Sequence, residues 1–112
     1  MDNLASERRR HSRADESVCA WLQFPRDGAV YSTLTKDLGS HGAQFCAARR
    51  VSVSERVAIC FQLPFTNIGC EAKVCWVKQV SGGESSFGVR FVNLTDCERD
   101  YLERFVVKTR VA

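Results

Sequence analysis

The chain has 112 residues, and 45% of them are hydrophobic, which is enough for one modest core and predicts a single domain. The formal net charge of +3 is small, but four of the 16 basic side chains fall between positions 8 and 13. This clustering favours a compact anion as the partner over a long nucleic acid polymer. No apolar run reaches the roughly 20 residues of a membrane-spanning helix, so membrane insertion is not expected.

The first residues are polar and basic and lack the apolar core of a secretory signal, which predicts a cytoplasmic protein with reduced thiols. The six cysteines include no C-x-x-C pair, and the two histidines lie far from a matching ligand set, so we expect no metal site. Most of the cysteines should pack as small apolar side chains. They are Cys19, Cys46, Cys60, Cys70, Cys75 and Cys97.

Residues 1–15 form a basic arm. The segment is dense in charge and has no apolar periodicity, so we expect it to be mobile when nothing is bound. It contains Arg8, Arg9, Arg10 and Arg13, and the spacing of Arg9 and Arg13 is R-x-x-x-R. A basic run near a terminus is most often a solvated tail, so by itself it indicates no ligand.

The first two strand candidates are Val18–Phe24 and Ala29–Leu34. Pro25–Gly28 between them has the composition of a turn, so the pair is predicted to be a hairpin. A loop at residues 35–42 follows and contains the run D-L-G-S-H-G. Gly42–Cys46 then resumes as a short strand.

Alternating apolar residues predict three further strands. These are Val57–Leu63, Ile68–Val80 and Ser86–Val92. In the second of them the alternation puts Trp76 on the apolar face with Val74, and Cys75 on the opposite face. In the third, Arg90 opposes the face that carries Phe87, so it is expected to be exposed or close to a site.

The last predicted element is a helix over about residues 95–108. Thr95 and Glu98 fit a capping box, and Asp96 suits the positive end of the helix dipole. An apolar stripe at helical spacing should lie on the sheet or form a partner surface. The stripe consists of Tyr101, Leu102, Phe105 and Val106. Six or seven short antiparallel strands and one helix predict a mainly β fold, a small barrel or closed sandwich, because closure removes exposed sheet edges.

Two motifs together carry a family resemblance. The first is R-x-x-x-R at Arg9 and Arg13, and the second is the loop from Asp37 to Gly42, which is close to Asp/Asn-x-Ser-x-x-Gly with Gly39 in place of serine. In this order they resemble the signature of PilZ domains, bacterial receptors for cyclic di-GMP. Residues 71–77 and 87–94 are similar to the paired strands that end such domains.

The resemblance implies a six- to seven-stranded PilZ-type β-barrel with a C-terminal helix at residues 16–112, preceded by the flexible arm at residues 1–15. It also implies a ligand, cyclic di-GMP, with no further cofactor. The predicted ligand-binding residues are Arg8, Arg9, Arg10, Arg13, Asp37, Gly39, Ser40, Gly42 and Trp76.

Each residue type suits this ligand. In the resemblance, Arg9 and Arg13 grip the ligand from the arm, because a guanidinium can donate two hydrogen bonds to phosphate or to the guanine O6 and N7 atoms. Asp37 can accept hydrogen bonds from guanine N1 and N2. Gly39 removes one hydroxyl, which weakens a site by about 0.5–1.5 kcal/mol. Ser40 compensates if the loop shifts by one position.

Trp76 has two interpretations. On an apolar face it is most simply a core residue, because large aromatic side chains dominate burial. At the mouth of a barrel it could instead stack on a guanine. Arg90 is a secondary candidate for the site.

Three functions compete at this point. The first is a receptor, a monomer or weak dimer, that changes conformation on binding cyclic di-GMP and signals to an unidentified protein controlling motility, biofilm or virulence. The second is a PilZ-fold adaptor that has lost the nucleotide and acts through protein contacts. The third is a small basic barrel that binds single-stranded nucleic acid. An enzyme is not expected, because no nucleophile stands beside a base and there is no P-loop.

Overall fold

The computed structural model describes the backbone of residues 13–14 and 18–111 and the side chains of residues 18–106. The described part has eight strands and one α-helix. In chain order they are β1 Arg13–Ala14, β2 Val18–Phe24, β3 Ala29–Thr35, β4 Leu38–Gly39, β5 Gly42–Ala47, β6 Arg56–Gln62, β7 Asn67–Gln79, β8 Ser85–Phe91 and α1 Asp96–Val111.

The predicted hairpin of β2 and β3 is confirmed. The turn between them is closed by the backbone amides of Asp27 and Gly28, which both donate to the Phe24 carbonyl oxygen at 3.2 and 2.7 Å. Gly28 has a φ of 71°, a left-handed conformation that glycine adopts without steric cost. The Asp27 carboxylate also accepts a hydrogen bond from the Ala29 amide at 3.0 Å.

The main sheet is antiparallel, with the strand order β3-β2-β6-β7-β8-β5. It curls so that its two edge strands meet, and the backbone groups of Lys36, directly after β3, and Gln44, in β5, exchange two hydrogen bonds of 2.8 Å. The predicted mainly β architecture, an antiparallel barrel-like sheet with a C-terminal helix, is therefore confirmed. It takes the form of a six-stranded half-barrel, with β1 and β4 paired separately as a short two-stranded ladder.

Phenylalanine rings fill the concave side of the sheet. Phe87 lies against Phe24 and Phe45, with ring centroids 6.2 and 6.0 Å apart. Phe61 continues the chain of rings by contacting Phe45 at 6.2 Å and Phe91 at 5.6 Å. All five rings come from strand positions that alternate with outward-facing residues, so the period of two in the sequence builds this core.

A β-bulge in β7 corrects the expected position of Trp76. The alternation holds through the buried Val74, but the register with β8 shifts between Val74 and Trp76. One extra residue in a strand reverses which face the following residues occupy. Trp76 therefore lies on the convex face with 43% of its surface exposed, and the core interpretation of this residue was wrong.

One open end of the half-barrel is closed by a buried ion pair. The Arg49 guanidinium is 3.2 Å from Glu55 Oε2 and 2.9 Å from Asp27 Oδ2. Its Cζ atom also lies 3.8 Å from the centre of the Phe24 ring, a cation–π contact. These contacts tie the turn after β2 to the connection between β5 and β6.

Helix α1 begins with the predicted capping box. The Glu98 amide donates to Thr95 Oγ1 at 3.1 Å, and the Thr95 amide donates to Glu98 Oε1 at 2.9 Å. The apolar stripe belongs to the core, because Leu102 and Val106 are fully buried and Tyr101 packs beside them, as does Phe105. Within the described residues, no helix is both long enough and apolar enough to cross a bilayer.

Candidate functional site

The arm and the loop meet in the short ladder of β1 and β4. Arg13 is the register partner of Gly39, and Ala14 is the partner of Leu38, in antiparallel pairing. The last residue of R-x-x-x-R therefore stands opposite the glycine that replaces serine in the loop motif. The last arginine of the first motif and the loop motif, more than twenty positions apart in sequence, are therefore adjacent in space.

The loop that leads into β4 has a specific backbone requirement at Asp37. Its φ is 54°, in the left-handed region. Aspartate and asparagine enter this region more readily than other non-glycine residues, because their short polar side chains can bond to the local backbone. The next residue, Leu38, is fully buried and anchors the loop to the core. The loop is thus held in one conformation beside the arm strand.

Gly42 ends the motif for a packing reason. It begins β5 and pairs with Arg90 of β8. A Cβ atom at this position would overlap the backbone carbonyl oxygen of Val89. Glycine is therefore needed at this position for close strand packing.

Ser40 is turned towards helix α1. The residue is buried, and its hydroxyl donates to Glu103 Oε1 at 3.4 Å and lies 3.0 Å from His41 Nδ1. Its carbonyl oxygen accepts a hydrogen bond from Arg99 Nη1 at 2.7 Å. In this arrangement Ser40 links the loop to the helix.

Two rows of residues run across the convex face next to the loop. The residues of each row are register partners on neighbouring strands and therefore share one face. The first row crosses β5, β8 and β7. The second row starts directly after β3 and crosses the same three strands. The first row is Gly42, Arg90 and Lys73, and the second is Lys36, Gln44, Gly88 and Trp76. The rows put three cationic side chains and one exposed indole on one face, which borders Asp37 at Lys36, and we call this surface the outer rows.

The Trp76 indole lies so close to Gly88 that no side chain fits at position 88. A Cβ atom at Gly88 would overlap the indole Nε1 atom. Glycine thus provides the seat for the aromatic ring, which leaves the other side of the ring available for contact with a ligand.

One buried thiol lies under the helix. Burial, together with the nearby Glu98 carboxylate, raises the pKa of Cys70 to about 12, so this cysteine stays a neutral thiol. Among the described side chains, no three histidine, cysteine, aspartate or glutamate residues come together as a metal site would require.

The structure therefore brings six of the predicted site residues to one region. These are Arg13, through its backbone, and Asp37, Gly39, Ser40, Gly42 and Trp76. Arg8, Arg9 and Arg10 lie outside the described residues. The contacts of Arg99 and Glu103 with the loop were not predicted; their signal in the sequence is that the two side chains are four residues apart on one helix face.

Comparison with solved structures finds the same fold in several proteins. The Bacillus subtilis inhibitor of motility MotI/DgrA superposes with a TM-score of 0.80 at 15% identity, over 93% of this chain and 52% of that one. The PilZ domain of YcgR from Escherichia coli, solved with c-di-GMP, gives a TM-score of 0.72 at 16% identity, over 93% of this chain and 92% of that one. PlzA of Borreliella burgdorferi, also solved with c-di-GMP, gives 0.60 at 20% identity, over 93% and 43%.

This chain thus spans about half the length of MotI/DgrA and less than half of PlzA. No curated protein sequence matches it. The family model of the PilZ domain matches residues 7–108, which include the four arginines of the basic arm, the loop motif, the sheet and most of the helix. The chain therefore belongs to the PilZ domain family.

Proposed function

We propose that this protein is a cytoplasmic receptor for cyclic di-GMP. The observation that carries the proposal is the pairing of Arg13, the last residue of R-x-x-x-R, with Gly39 of the loop motif. Family membership and the c-di-GMP held by the YcgR domain and by PlzA support the same ligand. The protein acts by binding, and we assign it no catalytic reaction.

The chemistry of the surface suits a compact dianion with two purine bases. A planar guanidinium can donate two hydrogen bonds to phosphate oxygens. Arg9 and Arg13 supply these hydrogen bonds, with Arg8 and Arg10 as auxiliaries. Exposed cations on the outer rows, Arg90 among them, add to the positive potential.

The bases require different groups. Asp37 supplies acceptors for the guanine N1 and N2 donors. The exposed face of Trp76 gives a base a stacking surface, worth about 1–3 kcal/mol for one base. Gly39 leaves its place without a hydroxyl, at an expected cost of about 0.5–1.5 kcal/mol, and Ser40 does not replace it while its own hydroxyl serves the helix.

The chain contains a matched pair of tryptophans for testing this proposal. Trp76 on the outer rows is 43% exposed, and Trp21, on β2 between β3 and β6, is 45% exposed. Trp21→Phe leaves Trp76 as the single indole, and Trp76→Phe leaves Trp21. Cyclic di-GMP should quench the fluorescence of the Trp21→Phe protein and leave that of the Trp76→Phe protein unchanged.

Isothermal titration at physiological salt measures the binding itself, with GMP and cyclic di-AMP as controls. We expect micromolar or tighter binding of cyclic di-GMP alone. Arg13→Ala should weaken it by about 1.5–3 kcal/mol, which is roughly 10- to 150-fold, because a charge-assisted hydrogen bond is lost. Arg104→Ala, an exposed arginine on α1, serves as the control and should bind as the wild type does.

An adaptor without nucleotide is the second candidate, and Gly39 is the feature that favours it. Absence of heat and of fluorescence change at high ligand concentration would replace the receptor proposal with this one. In either case the output passes to a protein partner, and control of motility is the leading assignment because the MotI/DgrA neighbour is an inhibitor of motility. An Arg13→Ala strain should lose the motility response if the chain is a receptor and keep it if the chain is an adaptor.

A further inference from the structure

Helix α1 forms two hydrogen bonds to Ser40, in the loop motif from Asp37 to Gly42. Arg99 Nη1 donates to the Ser40 carbonyl oxygen at 2.7 Å, a short charge-assisted bond. Glu103 Oε1 accepts from the Ser40 hydroxyl at 3.4 Å. Both the backbone and the side chain of one buried loop residue are thus bound by the same helix.

The helix that makes these bonds is itself fixed at several points. Its start is set by the Thr95 capping box, and Leu102 and Val106 anchor its middle in the core. It also lies alongside both β1 and β4. The helix therefore contacts each half of the ladder on which the proposed site depends.

The loop needs such support because its backbone is unfavourable at Asp37. A φ of 54° is an uncommon conformation for a residue with a side chain, and it persists only where the surroundings enforce it. Leu38 fixes the loop on one side of Gly39, and Ser40 fixes it on the other. Without the bonds from α1, Ser40 loses the two hydrogen bonds that attach this side of the loop to the helix.

We propose that Arg99 and Glu103 are positioning residues for the cyclic di-GMP site, and that ligand binding is energetically coupled through Ser40 to the packing of helix α1 against the loop. The inference rests on the proposed function and adds to it an element that responds to the ligand. When the loop is released, only a fraction of molecules hold the binding conformation, and the apparent affinity falls by that fraction. By linkage, a ligand that favours the ordered loop must stabilise the helix against the loop to the same extent.

Titration of the full chain with cyclic di-GMP tests the coupling in four variants. Arg99→Ala removes the bond to the carbonyl, and Glu103→Gln weakens the bond to the hydroxyl. Arg99→Lys keeps one donor within reach. Arg104→Ala is the control, since Arg104 lies on the same helix but is exposed and pairs with Asp100 at 3.1 Å.

We expect about tenfold weaker binding for Arg99→Ala, partial recovery for Arg99→Lys and an unchanged affinity for Arg104→Ala. Urea unfolding without ligand measures the stability of each variant, so that a loss of fold is recognised. If Arg99→Ala does not fold, the comparison of Glu103→Gln with Arg104→Ala decides, with the weaker binding expected for Glu103→Gln.

Amide hydrogen exchange supplies the reciprocal measurement. Saturation with cyclic di-GMP should slow exchange in α1 of the wild type and of Arg104→Ala, and slow it less in Arg99→Ala. If the wild type binds and the folded Arg99→Ala and Glu103→Gln variants bind with the wild-type affinity, this inference is overturned and the receptor proposal stays intact. Failure of the wild type to bind would overturn the receptor proposal, and this inference with it.

Discussion

Replacing Arg49 with methionine tests how much the buried ion pair of Arg49 and Glu55 contributes to the free energy of unfolding. The Arg49 side chain is only 8% exposed and that of Glu55 only 7%, and the Nη1 to Oε2 distance is 3.2 Å. Methionine fills much of the same volume without charge. The substitution therefore leaves the Glu55 carboxylate buried and without its main partner.

The magnitude follows from this burial. Removing one partner of a buried pair costs about 3–5 kcal/mol, because the remaining charge is desolvated without compensation. Arg26 remains 3.5 Å from Glu55 Oε2 and partly compensates its charge, which favours the lower end of that range. The compensation is small because the Arg26 side chain is exposed. For a domain of this size the loss corresponds to a fall in Tm of about 12–20 °C.

Arg56 provides the matched control. It forms an arginine–glutamate pair of the same length, 3.2 Å to Glu71, with the two side chains 60% and 52% exposed. Exposed pairs are worth about 0–1 kcal/mol. Arg56→Met should therefore lower the free energy of unfolding far less than Arg49→Met.

Urea unfolding followed by tryptophan fluorescence measures both variants. A further variant combines Arg49→Met with Glu55→Gln, which removes the orphaned charge and keeps a carbonyl oxygen for the Ser52 amide, now 3.1 Å from Glu55 Oε1. This double variant should be more stable than Arg49→Met alone. Equal losses for Arg49→Met and Arg56→Met would refute the argument that burial decides the strength of the pair.

Three further predictions follow from individual residues. Gly88→Ala should displace the Trp76 ring and weaken cyclic di-GMP binding in a titration, whereas Gly69→Ala, whose Cβ has only the Ile59 carbonyl oxygen nearby, at 3.8 Å, should bind normally; equal affinities would contradict the role of Trp76. Gly42→Ala should destabilise the fold by about 1–3 kcal/mol in urea, since the new Cβ meets the Val89 backbone, and an unchanged midpoint would show that β5 can move away. Burial raises the pKa of Cys70 to about 12, whereas the pKa of a cysteine in the unfolded chain is about 8.5. The neutral thiol therefore contributes fully to the free energy of unfolding below pH about 8.5, and this contribution is lost as the pH rises towards 12. Tm should therefore fall more steeply over that alkaline range in the wild type than in Cys70→Ala, and parallel slopes would exclude this linkage.

The strands and the start of the helix could be predicted from the sequence because they depend on neighbouring residues. Alternation of apolar side chains in Val57–Leu63 identified the buried face of β6, and Val57, Ile59 and Phe61 of that strand are buried, as is Leu63 directly after it. Thr95 and Glu98, three positions apart, identified the cap that the hydrogen bonds confirm. The left-handed conformation of Asp37 is also local, because aspartate adopts it more readily than most residues.

The orientation of Trp76 could not be predicted in this way. The alternation in β7 predicts a core position, but pairing with β8 introduces a bulge at Cys75 that turns the ring outwards. A bulge depends on how two strands fit each other along a curled sheet, and the sequence of one strand contains no record of that fit. The same holds for Arg49, whose partners lie in two different connections.

The sequence by itself determined the family, the six strands of the main sheet, the helix and the chemical types at the candidate site, because each of these is encoded by short patterns of residues; the short strands β1 and β4 fall where it predicted an arm and a loop. Only the tertiary structure decided that Arg13 stands opposite Gly39 and that Ser40 is bonded to Arg99 and Glu103, positions 59 and 63 residues away. Contacts at such separations arise from the curl of the sheet and from the packing of the helix against it. Many residues share in that packing energy, and no single motif specifies it.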